Sequence, residues 1–364
     1  MEVQPSLSVT DGRTIIDVRN PDETTEGMIP GAVSVPLDVL MDHIAEVASP
    51  GDPVLVYCQV GLRSLKAAEM LRQAGYGESV SLAGGVDAWR RYGLPWSTPD
   101  SQPEMARYQR HLRLQEVGSP GQQKLLESSV LILGAGGLGS PAALYLAAAG
   151  IGRIGLVDAD RVDLSNLQRQ VIHTTARVGE PKVTSGARTL SDLNPEIVVE
   201  THETRFSANN AIDLLAGYDV VIDGADNFPT RYLLNDASLI TRTPVVHGSV
   251  FRFEGQASVF QPYEGPCYRC LFPHPPPPEA APNCAEAGVL GVLPGIIGTL
   301  QATEAIKLLL GIGTSLVGTL LYYDSLEQTM DRFRVRRNPN CTACSDPSDP
   351  PALVEYDHLC RPMI

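Results

Sequence analysis

Ser129-Val130-Leu131-Ile132-Leu133 runs straight into Gly134-Ala135-Gly136-Gly137-Leu138-Gly139, and Gly139–Ala149 continues as an alanine-rich apolar segment. The first five residues read as a buried strand and the last eleven as a helix. Glycine at the turn between them allows a tight bend and brings backbone amides close to a phosphate at the helix N-terminus. Gly134, Gly136, Gly137 and Gly139 are therefore candidate nucleotide-binding residues. Asp158 lies nineteen residues past Gly139, at the end of the next expected strand, Arg153–Val157. An acid there bonds ribose hydroxyls. Taken alone, this pattern fits a nicotinamide oxidoreductase as well as any other dinucleotide-type fold.

The residues that follow shift the reading. Ser165-Asn166-Leu167-Gln168-Arg169-Gln170 and then Lys182 bring two cations toward the nucleotide. Hydride transfer has no use for them. Attack of a carboxylate on an α-phosphate does, because charge builds on the phosphoryl oxygens. Asp223-Gly224-Ala225-Asp226-Asn227 closes another expected strand, Val220–Asp223. A carboxylate at a strand's C-terminal edge sits where open α/β sheets bind ligands, and Asp226 there is placed to hold Mg²⁺ on the phosphates. The plainer role for Asp226 or Asn227 is a turn or a helix cap.

Around this core the chain is organised in two parts. With 364 residues and 43% apolar content it is too long for one ordinary core and too apolar for disorder. Residues 1–98 read as a small α/β unit with strands at Thr14–Val18, Pro53–Tyr57 and Ser79–Leu82 and helices at Ser64–Ala74 and Val86–Tyr92. Residues 99–103 are a Pro- and Ser-rich linker, 104–346 a longer α/β domain, and 347–364 a polar tail. Further strands are expected at Ile197–Glu200, Pro244–Gly248 and Gln256–Phe260, giving a mainly parallel sheet. The apolar helix around Thr299–Leu310 reads as core or dimer interface. Phe272–Pro282 holds six prolines and is expected to be an exposed, mobile loop. A formal charge of −14 argues against broad nucleic-acid binding. No apolar run approaches the roughly 20 residues of a membrane span, and no secretory signal is apparent, so a cytoplasmic protein with no membrane partner is expected.

Gly134–Gly139, Val157-Asp158, Ser165–Gln170 and Asp226-Asn227 together resemble the ubiquitin-activating superfamily, nearest its bacterial MoeB/ThiF members. The resemblance covers roughly Glu104 to Cys344. It implies a Rossmann-like domain that uses ATP to adenylate the C-terminal glycine of a small ubiquitin-like sulfur carrier ending in Gly-Gly. It also implies Asp158 as the ribose ligand, Asn166, Arg169 and Lys182 as phosphate contacts, and Asp226 as the Mg²⁺-linked catalytic acid. Arg107-Tyr108-Gln109-Arg110 resembles a family segment whose last arginine enters the partner subunit's ATP site, which makes Arg110 a finger donated in trans within a homodimer. The plainer alternative is a surface arginine on an amphipathic helix.

Seven cysteines in a reduced compartment point to metal ligation or reactive thiols rather than disulfides. Cys267-Tyr268-Arg269-Cys270 and Cys341-Thr342-Ala343-Cys344 supply four thiolates in two close pairs, the donor set of a structural Zn²⁺. The resembled family carries a zinc in this arrangement.

Cys58 follows the strand Val54-Leu55-Val56-Tyr57 and opens Cys58-Gln59-Val60-Gly61-Leu62-Arg63-Ser64, with a helix next. Amides in such a loop form an anion-binding nest, the helix N-terminus adds partial positive charge, and Arg63 adds a full one; all three favour a thiolate. Four residues separate Cys58 from Arg63. Cysteine phosphatases have one more, so this tighter ring suits a persulfide sulfur. With Asp17-Val18-Arg19, Ile29-Pro30-Gly31-Ala32 and Gly84-Gly85-Val86-Asp87-Ala88-Trp89, the loop resembles a rhodanese domain, which implies that Cys58 carries sulfane sulfur from a donor such as a cysteine desulfurase or thiosulfate.

Cys284, just beyond the proline loop, resembles a family cysteine that links covalently to the carrier in some members. Cys360 has no supporting context. His173, His247 and His274 read as packing or surface residues. The expected function is adenylation of the carrier followed by persulfide transfer to give a thiocarboxylate. The rivals are an activating enzyme that stops at a Cys284 thioester, a Rossmann oxidoreductase, and a non-catalytic scaffold. In fusions of this family the rhodanese part follows the adenylating one; here it comes first, so sulfur must cross the linker or pass between subunits. No residue names the pathway.

Overall fold

The structure, a computed structural model, describes residues 2–97, 103–274 and 288–356. The expected linker, apart from Pro103, lies outside the described residues, as do most of the proline loop, Cys284 and Cys360. The chain divides into two compact units, Met1–Gln122 and Gln123–Ile364.

The first unit is built on five strands: β1 (Glu2–Val3), β2 (Thr14–Asp17), β3 (Ala32–Ser34), β4 (Val54–Tyr57) and β5 (Ser79–Leu82). They lie in the order β1-β5-β4-β2-β3, and every pairing is parallel. All four residues of β4 are buried. Val54 and Val56 face one core cluster, with Ala67, Ala68 and Leu71, while Leu55 and Tyr57 face the other, with Ile29 and Trp89. A strand covered on both faces has no polar alternation, which is why Val-Leu-Val-Tyr reads as a continuous apolar run. Cys58 is the first residue after it, and the helix Leu62–Gln73 follows.

The second unit holds β6 (Ser129–Leu133), β7 (Arg153–Val157), β8 (Val198–His202), β9 (Val220–Asp223), β10 (Val245–Phe251), β11 (Glu254–Phe260), β12 (Thr319–Asp324) and β13 (Thr329–Arg334). The order is β13-β12-β11-β10-β9-β6-β7-β8. From β8 to β10 the pairings are parallel, and from β10 to β13 they are antiparallel. The expectation of a mainly parallel sheet thus holds for the nucleotide-binding half only. The short hairpin between β10 and β11, closed by Arg252 and Phe253, leaves no room for a crossover helix and forces the antiparallel return.

Helices cover both faces. Gly139–Ala149 and Leu293–Leu310 contribute Ala142, Leu146, Ala302 and Ala305 to one core; Ala211–Leu215 and Phe228–Thr241 contribute Leu215, Tyr232 and Ala237 to the other. A fully buried leucine such as Leu146 contributes about 2 kcal/mol. The helix at Leu293–Leu310 is core, as one of its two expected readings had it. It presses so close to the glycine turn that a Cβ on Gly298 would sit 2.4 Å from the carbonyl oxygen of Leu138. Among the described residues, no helix is long and apolar enough to cross a membrane.

Candidate functional site

β6 lies between β7 and β9, so the strand order reverses beside it. A crevice opens at such a reversal, outside the carboxyl ends of the strands. Here it is a cleft of about 320 Å³ lined by the glycine turn, by Asp158 and Asp160 after β7, by Thr204 and Arg205 after β8, and by Gly224, Ala225 and Asp226 after β9. Arg169, Gln170, Lys182 and Asn227 also reach it.

The turn needs its glycines. Gly134 has φ +96°, and a Cβ on Gly139 would lie 1.9 Å from the carbonyl oxygen of Gly134. The amide of Ala135 donates to Asp158 Oδ2 at 2.9 Å, which ties the turn to the acid after β7. Among the described residues, the amides of Gly136, Gly137 and Leu138 make no hydrogen bond. They stand at the N-terminus of the helix Gly139–Ala149, where donors and helix dipole both favour an anion. That donor set fits the phosphates of ATP.

Burial pushes the Asp158 carboxyl above the usual carboxylate range, against the pull of nearby Lys182. Lys182 is itself buried and its Nζ donates to Asp160 Oδ2 at 2.8 Å. His173, read from sequence as a packing or surface residue, is buried under the turn. Its Nε2 donates to the Ala135 carbonyl at 2.9 Å and its Nδ1 accepts from Ser185 at 2.9 Å. Burial lowers its pKa, which keeps the ring neutral in this pairing.

Asp226 is exposed at the cleft, and Asn227 Nδ2 donates to its Oδ1 at 3.2 Å. Asn227 Oδ1 caps the helix Phe228–Thr241 by accepting from the amide of Thr230 at 3.0 Å. The capping alternative is therefore realised at Asn227, and Asp226 keeps its carboxylate for the cleft. Beneath them lies a buried group that sequence reading missed. Asp223 accepts from His247 Nδ1 at 2.7 Å and from the amide of Ala225 at 3.1 Å, while Arg231 donates to the Ala225 carbonyl at 2.8 Å. These contacts clamp the turn that presents Asp226. Arg205, a third cation at the cleft, was also missed, because the loop after β8 carries no motif.

One expected ligand does not join this group. Asn166 is not among the residues lining the cleft; its carbonyl accepts from the amides of Arg169 and Gln170 and so shapes the segment that carries Arg169. Arg110, expected to act in the partner subunit's site, is exposed on the short helix Gln109–Leu112.

The sulfur atoms of Cys267, Cys270, Cys341 and Cys344 all lie within 4.8 Å of one another. Three separations are 3.9, 3.6 and 3.5 Å. A tetrahedron of thiolates at the zinc–sulfur distance of about 2.3 Å has edges of about 3.8 Å, so the cluster fits a four-coordinate metal. Its first pair is fastened to the helix that starts beside Asp226: the amide of Tyr268 donates to Asn235 at 2.8 Å, and Arg269 donates to the buried Asp236 at 2.9 and 3.1 Å.

In the first unit Cys58 is buried, and its Sγ accepts from the amides of Gly61 at 3.2 Å and Ser64 at 3.4 Å. The expected nest is formed. Gly61 takes φ +95° to form it, and Gly85 lies against it so closely that a Cβ would be 2.0 Å from the Cys58 carbonyl oxygen. The glycines of Gly84-Gly85-Val86 therefore serve the loop. Arg63 brings its charge to Cys58 as expected, but shares it with a carboxylate. Glu23 accepts two hydrogen bonds from it, at 2.7 and 2.5 Å, and these hold the Glu23 carboxyl down at about 2.

A doubly wound nucleotide cleft with paired cations and an acid at its edge, joined in one chain to a cysteine held in an amide nest, defines an acyl-activating enzyme with a sulfur-handling domain. The model of the ThiF family matches residues 108–343, and that of the rhodanese-like domain matches residues 6–92. The chain belongs to the ThiF family and carries a rhodanese-like domain ahead of the family's own. A sulfur carrier protein adenylyltransferase of Thermus thermophilus is 50% identical over 265 residues, which cover 71% of this chain and 98% of that protein. The adenylyltransferase and sulfurtransferase MOCS3 of Anopheles gambiae is 50% identical over 71% of this chain, and the match spans 58% of its length. The structure of E. coli MccB with ATP shares the fold, with a TM-score of 0.59 at 24% identity over 66% of this chain and 75% of that one. The chain is thus an enzyme of the adenylyltransferase and sulfurtransferase kind.

Proposed function

We propose that this enzyme adenylates the C-terminal Gly-Gly carboxylate of a small ubiquitin-like sulfur carrier with ATP, and then delivers sulfur from Cys58 to make a thiocarboxylate. The observation that carries the reading is the cleft itself, where Arg169 and Lys182 stand with Asp226 around three unbonded turn amides. A dehydrogenase needs no such pair of cations. The functional division follows the sequence, with residues 1–98 handling sulfur and 104–346 adenylating.

The turn amides and Lys182 receive the phosphates, and Asp158 receives the ribose. Asp226, presented by its clamped turn, would hold Mg²⁺, which would supply charge neutralisation at the phosphates. A carrier carboxylate oxygen attacks the α-phosphorus, the bond to the β-phosphate oxygen breaks, and pyrophosphate leaves with the electron pair. Arg169 and Lys182 stabilise the charge that develops. The terminal sulfur of a Cys58 persulfide then attacks the carbonyl carbon, and AMP leaves. A second thiol attacks Cys58 Sγ, releases the carrier as a thiocarboxylate, and remains as a mixed disulfide that a further thiol reduces. Cys284 is a candidate for that second thiol. The amide nest around Cys58 suits a persulfide anion, and the donor is a cysteine desulfurase or thiosulfate. The four clustered cysteines would hold Zn²⁺, and Asn235 and Asp236 fasten their first pair to the helix Phe228–Thr241. Arg110 acts in trans in a homodimer, and reduced metal-binding cysteines suit the cytoplasm.

Carrier-dependent exchange of labelled pyrophosphate into ATP tests this. Asp226→Asn should lower it by about 10²-fold. Absence of exchange in the unaltered enzyme across several Gly-Gly carriers would sink the proposal.

A further inference from the structure

The rim of the Cys58 loop is not the cationic funnel that an anionic sulfur donor calls for. Arg63 donates to both oxygens of Glu23, so the charge it also turns toward Cys58 is shared with a carboxylate. Arg19, the other cation nearby, is buried against Asp17 at 2.7 Å, and its remaining donors go to the carbonyls of Glu23 and Gly27 and to Gln59. On the opposite side the exposed Asp87 accepts from Gln59 Nε2 at 2.6 Å. Lys66 is exposed on the helix that follows the loop, one turn beyond Arg63. Arg63 and Arg19 are thus each paired with a carboxylate, which leaves one charge of each sign, Lys66 and Asp87, exposed beside the loop. The loop's own tip is apolar, with Val60 52% and Leu62 76% exposed.

We infer that Glu23 is a specificity-determining residue: by holding Arg63 it denies charge compensation to dianionic donors such as thiosulfate and reserves Cys58 for sulfur that arrives with less charge, as a persulfide on a thiol does. Either donor loads Cys58 by the same balanced step. The Cys58 thiolate attacks the donor's outer sulfur, the sulfur–sulfur bond breaks, and the donor leaves with the electron pair, as sulfite in the case of thiosulfate. Discrimination therefore lies in binding the donor's charge and not in the bond chemistry. This rests on the reading of Cys58 as the sulfur acceptor, and it concerns the first unit alone.

The test measures thiocyanate formed from cyanide by the full chain, with thiosulfate as dianion and methanethiosulfonate as monoanion. Interaction energy scales with ligand charge, so Glu23→Gln should raise kcat/KM on the order of tenfold for thiosulfate and about threefold for the monoanion. Glu23→Asp, which keeps the charge, should stay within about twofold of the parent. Asp87→Asn, at an exposed carboxylate on the same rim, should raise thiosulfate turnover in the same order of preference and stands in if Glu23→Gln fails to fold. An equal change for both donors, or no rise for thiosulfate in a folded Glu23→Gln variant, overturns the inference. Turnover absent with both donors in every variant, Glu23→Gln included, likewise overturns the inference, while the reading of Cys58 as acceptor stands or falls with the carrier assay.

Discussion

Replacing Lys182 with methionine separates the catalytic work of this side chain from its structural work. Lys182 is 7% exposed, while its partner Asp160 is 72% exposed. Water already screens that carboxylate, so the pair contributes about 0–1 kcal/mol to folding. Methionine keeps the buried stem, and the fold should lose no more than about 2–4 °C in Tm. The charge matters elsewhere. Lys182 lines the cleft and is the nearest offset to the burial of Asp158. Removing a cation aimed at developing phosphoryl charge typically costs about 3 kcal/mol, or about 10²-fold in rate. Carrier-dependent pyrophosphate exchange and thermal unfolding, measured on the same preparation, report the two terms separately. A fall in exchange of less than about fivefold, or a Tm loss above about 10 °C with exchange intact, would refute the assignment of Lys182 to the phosphates.

Chelation should act on the second unit: removing metal from the four-cysteine cluster should free four thiols to a thiol reagent and lower the Tm of that unit, while the Gly61 and Ser64 amide bonds to Cys58 in the first unit are untouched. Chelation that leaves both thiol count and Tm unchanged would contradict metal binding there. Acid should weaken the fold through His173 and His247. Burial lowers both pKa values below 6.5, so the unfolded chain takes up protons first and stability is lost as pH falls below about 6.5. His173→Gln should flatten that loss in a pH series of denaturant unfolding, and an unchanged slope would show that His173 does not contribute to it.

Much of the nucleotide half was legible because its strands are buried on both faces. Ser129–Leu133, Arg153–Val157 and Val220–Asp223 appear with the bounds expected for them, as mainly buried aliphatic runs closed by a glycine or an acid. The helix Gly139–Ala149 was legible for the same reason, and its glycine start marks the turn. β13 was not. All six of its residues are exposed, and Thr-Met-Asp-Arg-Phe-Arg shows no one-sided alternation. The helix Lys182–Leu193 was also invisible, since it lacks a side-chain cap and contains Thr, Ser and Gly at positions where propensity is weak. In the site, single residues were found wherever a motif named them, but their partners were not. The carboxylate that pairs with Arg63 was not legible, because Glu23 lies forty residues away in sequence. The Asp223–His247–Arg231 clamp was missed because it joins two strands and a helix, and nothing local in the sequence relates them. Asn227 both lines the cleft and closes a helix end through its Oδ1, the cap that its place after a strand allowed.

The central claim is that an adenylate made over Gly134–Gly139 is consumed by sulfur carried on Cys58. Its most direct test is the intact mass of a Gly-Gly carrier after incubation with this enzyme, ATP·Mg²⁺, a sulfur donor and a thiol reductant. The account predicts an ATP-dependent gain matching exchange of one oxygen for sulfur, lost in Asp226→Asn and in Cys58→Ser. A gain that persists in Cys58→Ser, or the absence of any ATP-dependent change across several carriers, would contradict it.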